Sequence, residues 1–411
     1  MRMFRLACLA TAMLAAAPLT ARAEMRAEVL HWWTSGGESA AVKVFADKFT
    51  EAGGTWVDSA IAGGQAARTA GINRIVGGNP PTAMQFNTGK QFDELVANGL
   101  LADLDAVAAE GKWQDVLPPA LTEAITRDGK VYAIPVNIHG INWLWYNKKL
   151  FDEHGLAEPT SWAEVAAAGE KLKEAGLIGL AQGGQPWQER SLFNAMLVGD
   201  AGTDLYYRIY RDGDQEAVRS DGFRKVADLF KQLQGLTDAG SPGRNWNDAT
   251  AMVLTGKAGM QVIGDWAKGE FTAAGQVAGQ DYGCAIVGQG GYLMGGDVFV
   301  FPVVDDAASA NETQATLAEV MFAPETQIAF NTIKGSVPSR LDVDVSGMDA
   351  CAQKGAAALK DPARQVPTTD FLISPDLSGA LDDVITQFWN NQGMTTDQFV
   401  EQFIGAMQAA G

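Results

Sequence analysis

Three observations predict an α/β protein of two lobes, each a mostly parallel sheet flanked by helices. From Val29 to Phe86 short apolar strands alternate with helical segments. The chain has 411 residues, more than a single hydrophobic core usually organises. Two apolar extended stretches, residues 130–148 and 295–302, have the length and the lack of turn signals of strands that leave one lobe and enter another.

The N-terminus reads as a secretory signal. Arg2 and Arg5 precede an apolar run from Leu6 to Leu19, and Ala21-Arg22-Ala23 forms an A-x-A cleavage site before Glu24. The run is too short to span a bilayer, so residues 1–23 are expected to be removed and the mature protein exported and soluble. Cys8 leaves with the signal, and Arg5-Leu6-Ala7 before it is a poor lipoprotein site. Cys284 and Cys351 then remain in a compartment where disulfides persist, and a single bridge between them is expected, the alternative being two buried thiols. With three histidines in the chain and no ligand spacing, no metal site is expected, and no cofactor.

The formal charge is −18, and loss of Arg2, Arg5 and Arg22 with the signal makes it three units more negative. Such a surface repels nucleic acid and anionic lipid and leaves a neutral or cationic solute as the natural ligand. Eleven tryptophans add flat aromatic faces of the kind that cover the C–H surfaces of sugars, quaternary amines or bases.

In chain order, a strand Val29–Trp32 leads into His31-Trp32-Trp33-Thr34-Ser35-Gly36-Gly37-Glu38 and a helix 39–49. Ser35 and Glu38 have capping-box spacing. Neighbours in a strand point to opposite faces, so only one of Trp32 and Trp33 can enter the core and the other belongs at a pocket mouth. A strand 56–61, a helix 66–76 and a strand 83–86 complete a parallel βαβ unit. It ends at Asn87-Thr88-Gly89-Lys90, where Lys90 is either a surface lysine or a ligand contact, and a helix 91–97 follows. Beyond the first crossing, Ser161-x-x-Glu164 opens a helix that ends near Gly176, and Trp187 follows in a polar loop. Helices fill most of residues 191–236. A buried strand 260–263 ends at Gly264, which is expected to turn Asp265-Trp266 into solvent. Asp297 stands at the entrance of the return crossing, and helices 313–322, 324–333 and a C-terminal pair complete the chain.

Six segments in this order, EVLHWWTSGGE (28–38), GGNPPTAMQFNTGK (77–90), IPVNIHGINWLWYNKKLF (134–151), TGKAGMQVIGDW (255–266), GGDVFVFP (295–302) and FNTIKGSVPSR (330–340), resemble the family 1 extracellular solute-binding proteins of bacterial ABC importers, and within them the glucose-binding subgroup. The resemblance covers essentially the whole mature chain, and residues 255–266 and 313–340 also look like maltose-binding protein. It implies a Venus-flytrap periplasmic binding protein, with residues 24–136 plus 300–343 in one lobe and 137–299 plus 344–411 in the other. Such a protein is a periplasmic monomer that delivers a hexose, glucose first, to an inner-membrane ABC permease, and it could also serve a chemoreceptor. By the same resemblance Trp32, Trp33, Glu38, Lys90 and Lys334 contact sugar from the first lobe, and Trp187, Trp266 and Asp297 from the second. Asn137 and His139 lie on the cleft floor. The chain departs from the subgroup at Pro367-Thr368-Thr369-Asp370-Phe371, where a histidine contact is expected and none follows His154. The chemistry fits independently: sugar hydroxyls donate and accept, so carboxylates and lysines satisfy them while indoles cover the C–H faces. The competing reading is a secreted glycoside hydrolase or lyase, which also uses a Trp-rich cleft with two carboxylates; here lysines balance the acids.

Overall fold

The computed structural model describes residues 25–304 and 307–411. The expected signal peptide, its cleavage site and Cys8 lie outside the described residues.

Two main sheets organise the molecule. The first has the strand order Thr55–Ala60, Arg26–His31, Ala83–Asn87, Asp297–Val300, Ala133–Pro135. Its first three strands are parallel, as the βαβ pattern predicts, and the two crossing strands join antiparallel. The second has the order Tyr282–Ile286, Trp143–Asn147, Ala258–Val262, Ile178–Leu180. Here the expectation of a mostly parallel sheet fails: Trp143–Asn147 runs antiparallel to both neighbours, and only Ala258–Val262 and Ile178–Leu180 pair in parallel. The reason is topological. A strand that arrives from the other lobe is inserted in the middle of the sheet rather than added through a right-handed crossover helix, so no rule sets it parallel.

The first crossing is not one continuous strand. It breaks into Lys130–Val131, Ala133–Pro135, His139–Gly140 and Trp143–Asn147. Of these, His139–Gly140 pairs with Tyr292–Gly295 in a small third sheet completed by Gln365–Pro367. The return crossing, 292–300, runs beside it, and a third passage lies where Ile138 bridges Val337. Between these passages Trp143–Asn147 is buried on both faces. Leu144 and Tyr146 enter one core with helices Trp162–Glu174 and Pro186–Met196, while Trp143 and Trp145 enter the other. The run Trp-Leu-Trp-Tyr is thus a period-two pattern with no polar face.

Helix Gly36–Glu51 begins three residues earlier than its apolar spacing suggests, because the Ser35–Glu38 capping box is formed and admits both glycines to the first turn. The equivalent box at Ser161 and Glu164 opens Trp162–Glu174. Helix Pro324–Lys334 lies along Gly36–Glu51, with Phe45 and Phe330 stacked at 4.2 Å between ring centroids. It ends at Gly335, whose φ of 97° only glycine adopts freely. The C-terminal helices Pro375–Asn390 and Thr396–Ala410 cover the second sheet's helices through Phe193, Phe223, Phe230, Phe388, Phe399 and Phe403. Cys284, in the strand Tyr282–Ile286, is disulfide-bonded to Cys351 at the start of helix Ala350–Leu359, with 6.1 Å between Cα atoms.

Candidate functional site

The elements of the two sheets meet at the N-terminus of helix Gly36–Glu51. Glu270, in the helix Ala267–Ala273 that follows the second sheet, accepts a 2.8 Å hydrogen bond from the Gly37 N–H, one of the donors a helix start leaves free. The two helices approach closely because Gly37 and Gly269 lack side chains here: a Cβ on Gly37 would lie 2.6 Å from the carbonyl carbon of Gly269.

One residue on, Glu38 does two things. Its carboxylate completes the capping box, and its Oε1 lies 3.3 Å from Lys334 Nζ. Lys334 is only 2 % exposed and comes from the end of the helix that packs along Gly36–Glu51. Its ammonium sits 5.7 Å from the Trp33 ring centroid and 5.9 Å from that of Trp266. A buried ion pair placed between two indoles is stabilised by both ring faces as well as by Coulomb attraction.

The two tryptophans of the opening motif separate as strand geometry requires. Trp33 is 1 % exposed, among Phe45, Phe299 and Phe330, and is therefore the core member of the pair. Its indole N–H is nevertheless buried without a hydrogen-bond partner among the described residues. Trp32 is the half-buried one, with the Arg68 guanidinium 5.6 Å from its ring centroid. His31 holds the turn: its Nδ1 accepts from the Trp33 N–H at 3.2 Å and its Nε2 meets Asp58 at 2.8 Å.

A carboxylate–imidazole–carboxylate line forms the floor. His139 Nδ1 bonds Asp265, and His139 Nε2 lies 3.0 Å from Asp297 Oδ2. Asp265 also accepts the Gly140 N–H at 2.8 Å, so Gly264 turns this residue into the protein and not, as the sequence suggests, into solvent. The interior backbone and imidazole donors outweigh what water would provide. Asp297 accepts further from Asn137 Nδ2 at 2.8 Å and from Gln85 Nε2 at 2.9 Å. Burial works against the charge of His139, but the two flanking aspartates overcome it and raise the imidazole above its usual range. Burial likewise pushes Asp297 up, yet the hydrogen bond and charge of His139, then Lys334 and Asn137, hold its carboxyl below the usual carboxylate range.

Trp266, half-buried, meets His139 edge-on at 5.0 Å and stands beside Trp187 at 5.9 Å and Trp246 at 6.4 Å. Lys90 stands apart from this group. Its Nζ donates to the Leu372 carbonyl at 3.0 Å, and its backbone N–H to the Asp370 carbonyl at 2.9 Å. The structure thus gathers Trp33, Glu38, Asn137, His139, Trp266, Asp297 and Lys334 in one contact network, with Trp187 beside Trp266 and with Trp32 joined through Gln85, which accepts the Trp32 N–H at 3.0 Å, while Lys90 is not brought into it. Gln85, Asp265 and Glu270 were not singled out from sequence. A lone glutamine inside the apolar strand Ala83–Asn87 was a legible signal for the first, whereas nothing local marks Glu270. Indoles beside hydrogen-bonded acids and bases suit a neutral polyhydroxyl solute whose groups both donate and accept.

The profile of the bacterial extracellular solute-binding protein family matches residues 33–320. A probable sugar-binding periplasmic protein of Rhizobium meliloti (strain 1021) is 39 % identical over 415 residues, with 98 % of each chain covered. Among solved structures, maltose-bound T. maritima MalE3 superposes with a TM-score of 0.76 at 15 % identity, over 93 % of this chain and 99 % of the other. The solute receptor AcbH, described as having an exclusive preference for β-D-galactopyranose, superposes with a TM-score of 0.76 at 19 % identity, over 94 % and 97 %. The fold is that of the two-lobe solute-binding proteins, and the chain belongs to the bacterial extracellular solute-binding protein family.

Proposed function

We propose that this protein is the periplasmic sugar-binding component of an ABC importer. It traps a monosaccharide, glucose first among the hexoses, between its lobes and presents it to an inner-membrane permease. The observation that carries this reading is the Glu38–Lys334 pair held between Trp33 and Trp266, indoles supplied from opposite sides of the meeting elements. Trp32, Trp33, Glu38, Lys90 and Lys334 on one side, with Asp297 at the end of a strand of that same first sheet and not on the second side as the sequence suggests, Asn137 and His139 on the floor, and Trp187 and Trp266 on the other side, are the ligand contacts in this reading. The lobes divide as 24–136 plus 300–343 and 137–299 plus 344–411, after removal of a signal at 1–23. The sugar-binding description of the Rhizobium meliloti relative, at 39 % identity over nearly the whole chain, supports the ligand class.

A panel of monosaccharides and disaccharides read by tryptophan fluorescence and thermal shift tests this. A hexose at a hundredfold excess over its dissociation constant raises stability by about 2.7 kcal/mol. Prolonged incubation with the same sugars and with aryl-glycosides leaves them unchanged. A response to disaccharides alone refutes the monosaccharide assignment, and sustained release of aglycone refutes the binding role.

A further inference from the structure

Helix Ala267–Ala273 is rooted in the second sheet and touches the helices of the first. Phe271 stacks on Tyr282 at 4.3 Å between ring centroids and lies 5.9 Å from Trp145, which ties one side of the helix to the strands Tyr282–Ile286 and Trp143–Asn147. Gly269, two residues earlier and so on the opposite side, meets the ends of the two helices that carry Glu38 and Lys334.

Three glycines shape this joint. A Cβ on Gly37 would lie 2.8 Å from the Gly269 carbonyl oxygen, and one on Gly269 would lie 3.0 Å from the Ile333 carbonyl oxygen and 3.1 Å from that of Lys334. A Cβ on Gly335 would lie 2.4 Å from the Asp265 carbonyl oxygen and 3.0 Å from the Gly269 nitrogen. Each glycine is close in sequence to a residue of the candidate site: Gly37 precedes Glu38, Gly335 follows Lys334, and Gly269 comes three residues after Trp266. The fit of the joint therefore sets how Trp266 stands to the Lys334 ammonium and to its partner Glu38.

Backbone contact at glycines removes little apolar surface from water, so it guides the fit without locking it. The holding contact is polar. The capping box takes the Glu38 N–H and leaves that of Gly37 without an intrahelical acceptor, and the Glu270 carboxylate accepts it at 2.8 Å, at the positive end of helix Gly36–Glu51. Such a bond is exchanged for water when the partners part, so its net contribution is modest and the contact can be made and broken.

We propose that Glu270 is a positioning residue for sugar binding: it is the latch that holds the second lobe, seated on Gly37, Gly269 and Gly335, in the arrangement that grips the ligand. This rests on the two-lobe binding reading above. Glu270 does not contact the sugar. It acts through Gly37 on Glu38 and through its own helix on Trp266, and its loss shifts the lobes toward an open state of lower affinity.

Three variants test this. Glu270→Ala removes the acceptor, Glu270→Gln keeps an acceptor oxygen without the charge, and Gly37→Ala puts a Cβ into the joint. Small-angle X-ray scattering of the unliganded proteins reads the lobe arrangement; calorimetry and stopped-flow fluorescence with glucose read affinity and dissociation rate, beside urea midpoints. Glu270→Ala and Gly37→Ala are expected to show a larger radius of gyration without ligand and an unchanged midpoint. They should bind glucose about 5- to 50-fold more weakly, chiefly through faster dissociation, while Glu270→Gln stays within about threefold of wild type. Unchanged scattering with affinities within twofold of wild type in both variants overturns the latch. A Glu270→Gln variant as weak as Glu270→Ala overturns the hydrogen bond as the holding contact, and midpoints that fall enough to account for the weakening make the joint part of the fold and overturn the proposal too. A wild type that does not bind glucose refutes the glucose assignment instead, and scattering alone then decides the latch.

Discussion

Trp33 and Trp266 share one ammonium but have opposite surroundings, and truncation separates their roles. Trp33 is enclosed by three phenylalanines, so Trp33→Ala is expected to cost about 3 to 5 kcal/mol of fold stability in addition to any loss of affinity. Trp266 is half-buried, so Trp266→Ala is expected to weaken sugar binding by about 1 to 3 kcal/mol with a smaller change in the urea midpoint. Calorimetry beside urea titration distinguishes them, and near-normal affinity in both variants would move the ligand elsewhere. His139 adds a pH dependence. Its folded pKa is raised, so the stability it contributes is complete below the unfolded imidazole value of about 6.5 and is lost as pH rises through the higher folded value. Asp297 acts in the opposite sense: its folded pKa is depressed, and its contribution is lost as pH falls below the usual carboxylate range. Urea midpoints measured from neutral into alkaline pH should therefore decline in the wild type, and His139→Gln should flatten that decline.

At the level of elements, the site depends on how two helix ends are fixed. The capping box sets the start of Gly36–Glu51 and orients Glu38, and the left-handed Gly335 ends Pro324–Lys334 where its last residue reaches that carboxylate. Neither helix alone places the pair; the Phe45–Phe330 contact sets their offset. The disulfide acts on a third element. It joins the strand Tyr282–Ile286 to the start of helix Ala350–Leu359 across a sequence separation of 67 residues, and Lys268 adds a 2.6 Å ion pair to Asp349, the N-cap of that helix. A bridge over a loop of this length removes unfolded-chain entropy worth about 4 kcal/mol. Cys351→Ser should lower the stability found by urea unfolding by an amount of that order, and titration of the denatured, unreduced wild type should find no free thiol in the mature chain. Two reactive thiols per chain would remove the bridge.

For the whole molecule, the dominant property is charge. The chain carries a formal −18, but a neutral sugar adds no charge to the cleft, where Glu38 pairs with Lys334 and His139 lies between two aspartates. Binding of a neutral sugar should therefore change less than twofold between about 0.05 and about 1 M salt. Stability of the unliganded protein should rise over the same range as self-repulsion is screened. Calorimetry and thermal unfolding at the two salt levels check this, and a steep salt dependence of affinity would point to a charged ligand.

The sequence by itself determined the alternation of strands and helices, both capping boxes, the positions of the crossings and the residue types available to the cleft, because each depends on local periodicity or on the conformational preferences of a few neighbouring residues. It also dictated that Trp32 and Trp33 face opposite ways, since that follows from strand geometry alone. Tertiary structure decided which of them is core: the face toward helix Gly36–Glu51 is also the face toward Phe299 and Phe330, residues more than 260 positions away in the chain. It decided that Asp265 turns inward, because the imidazole and the Gly140 N–H that receive it come from the first crossing. It decided the antiparallel insertion of Trp143–Asn147 and the closeness of Gly37 to Gly269, which depend on where distant segments return and leave no trace in the residues beside them.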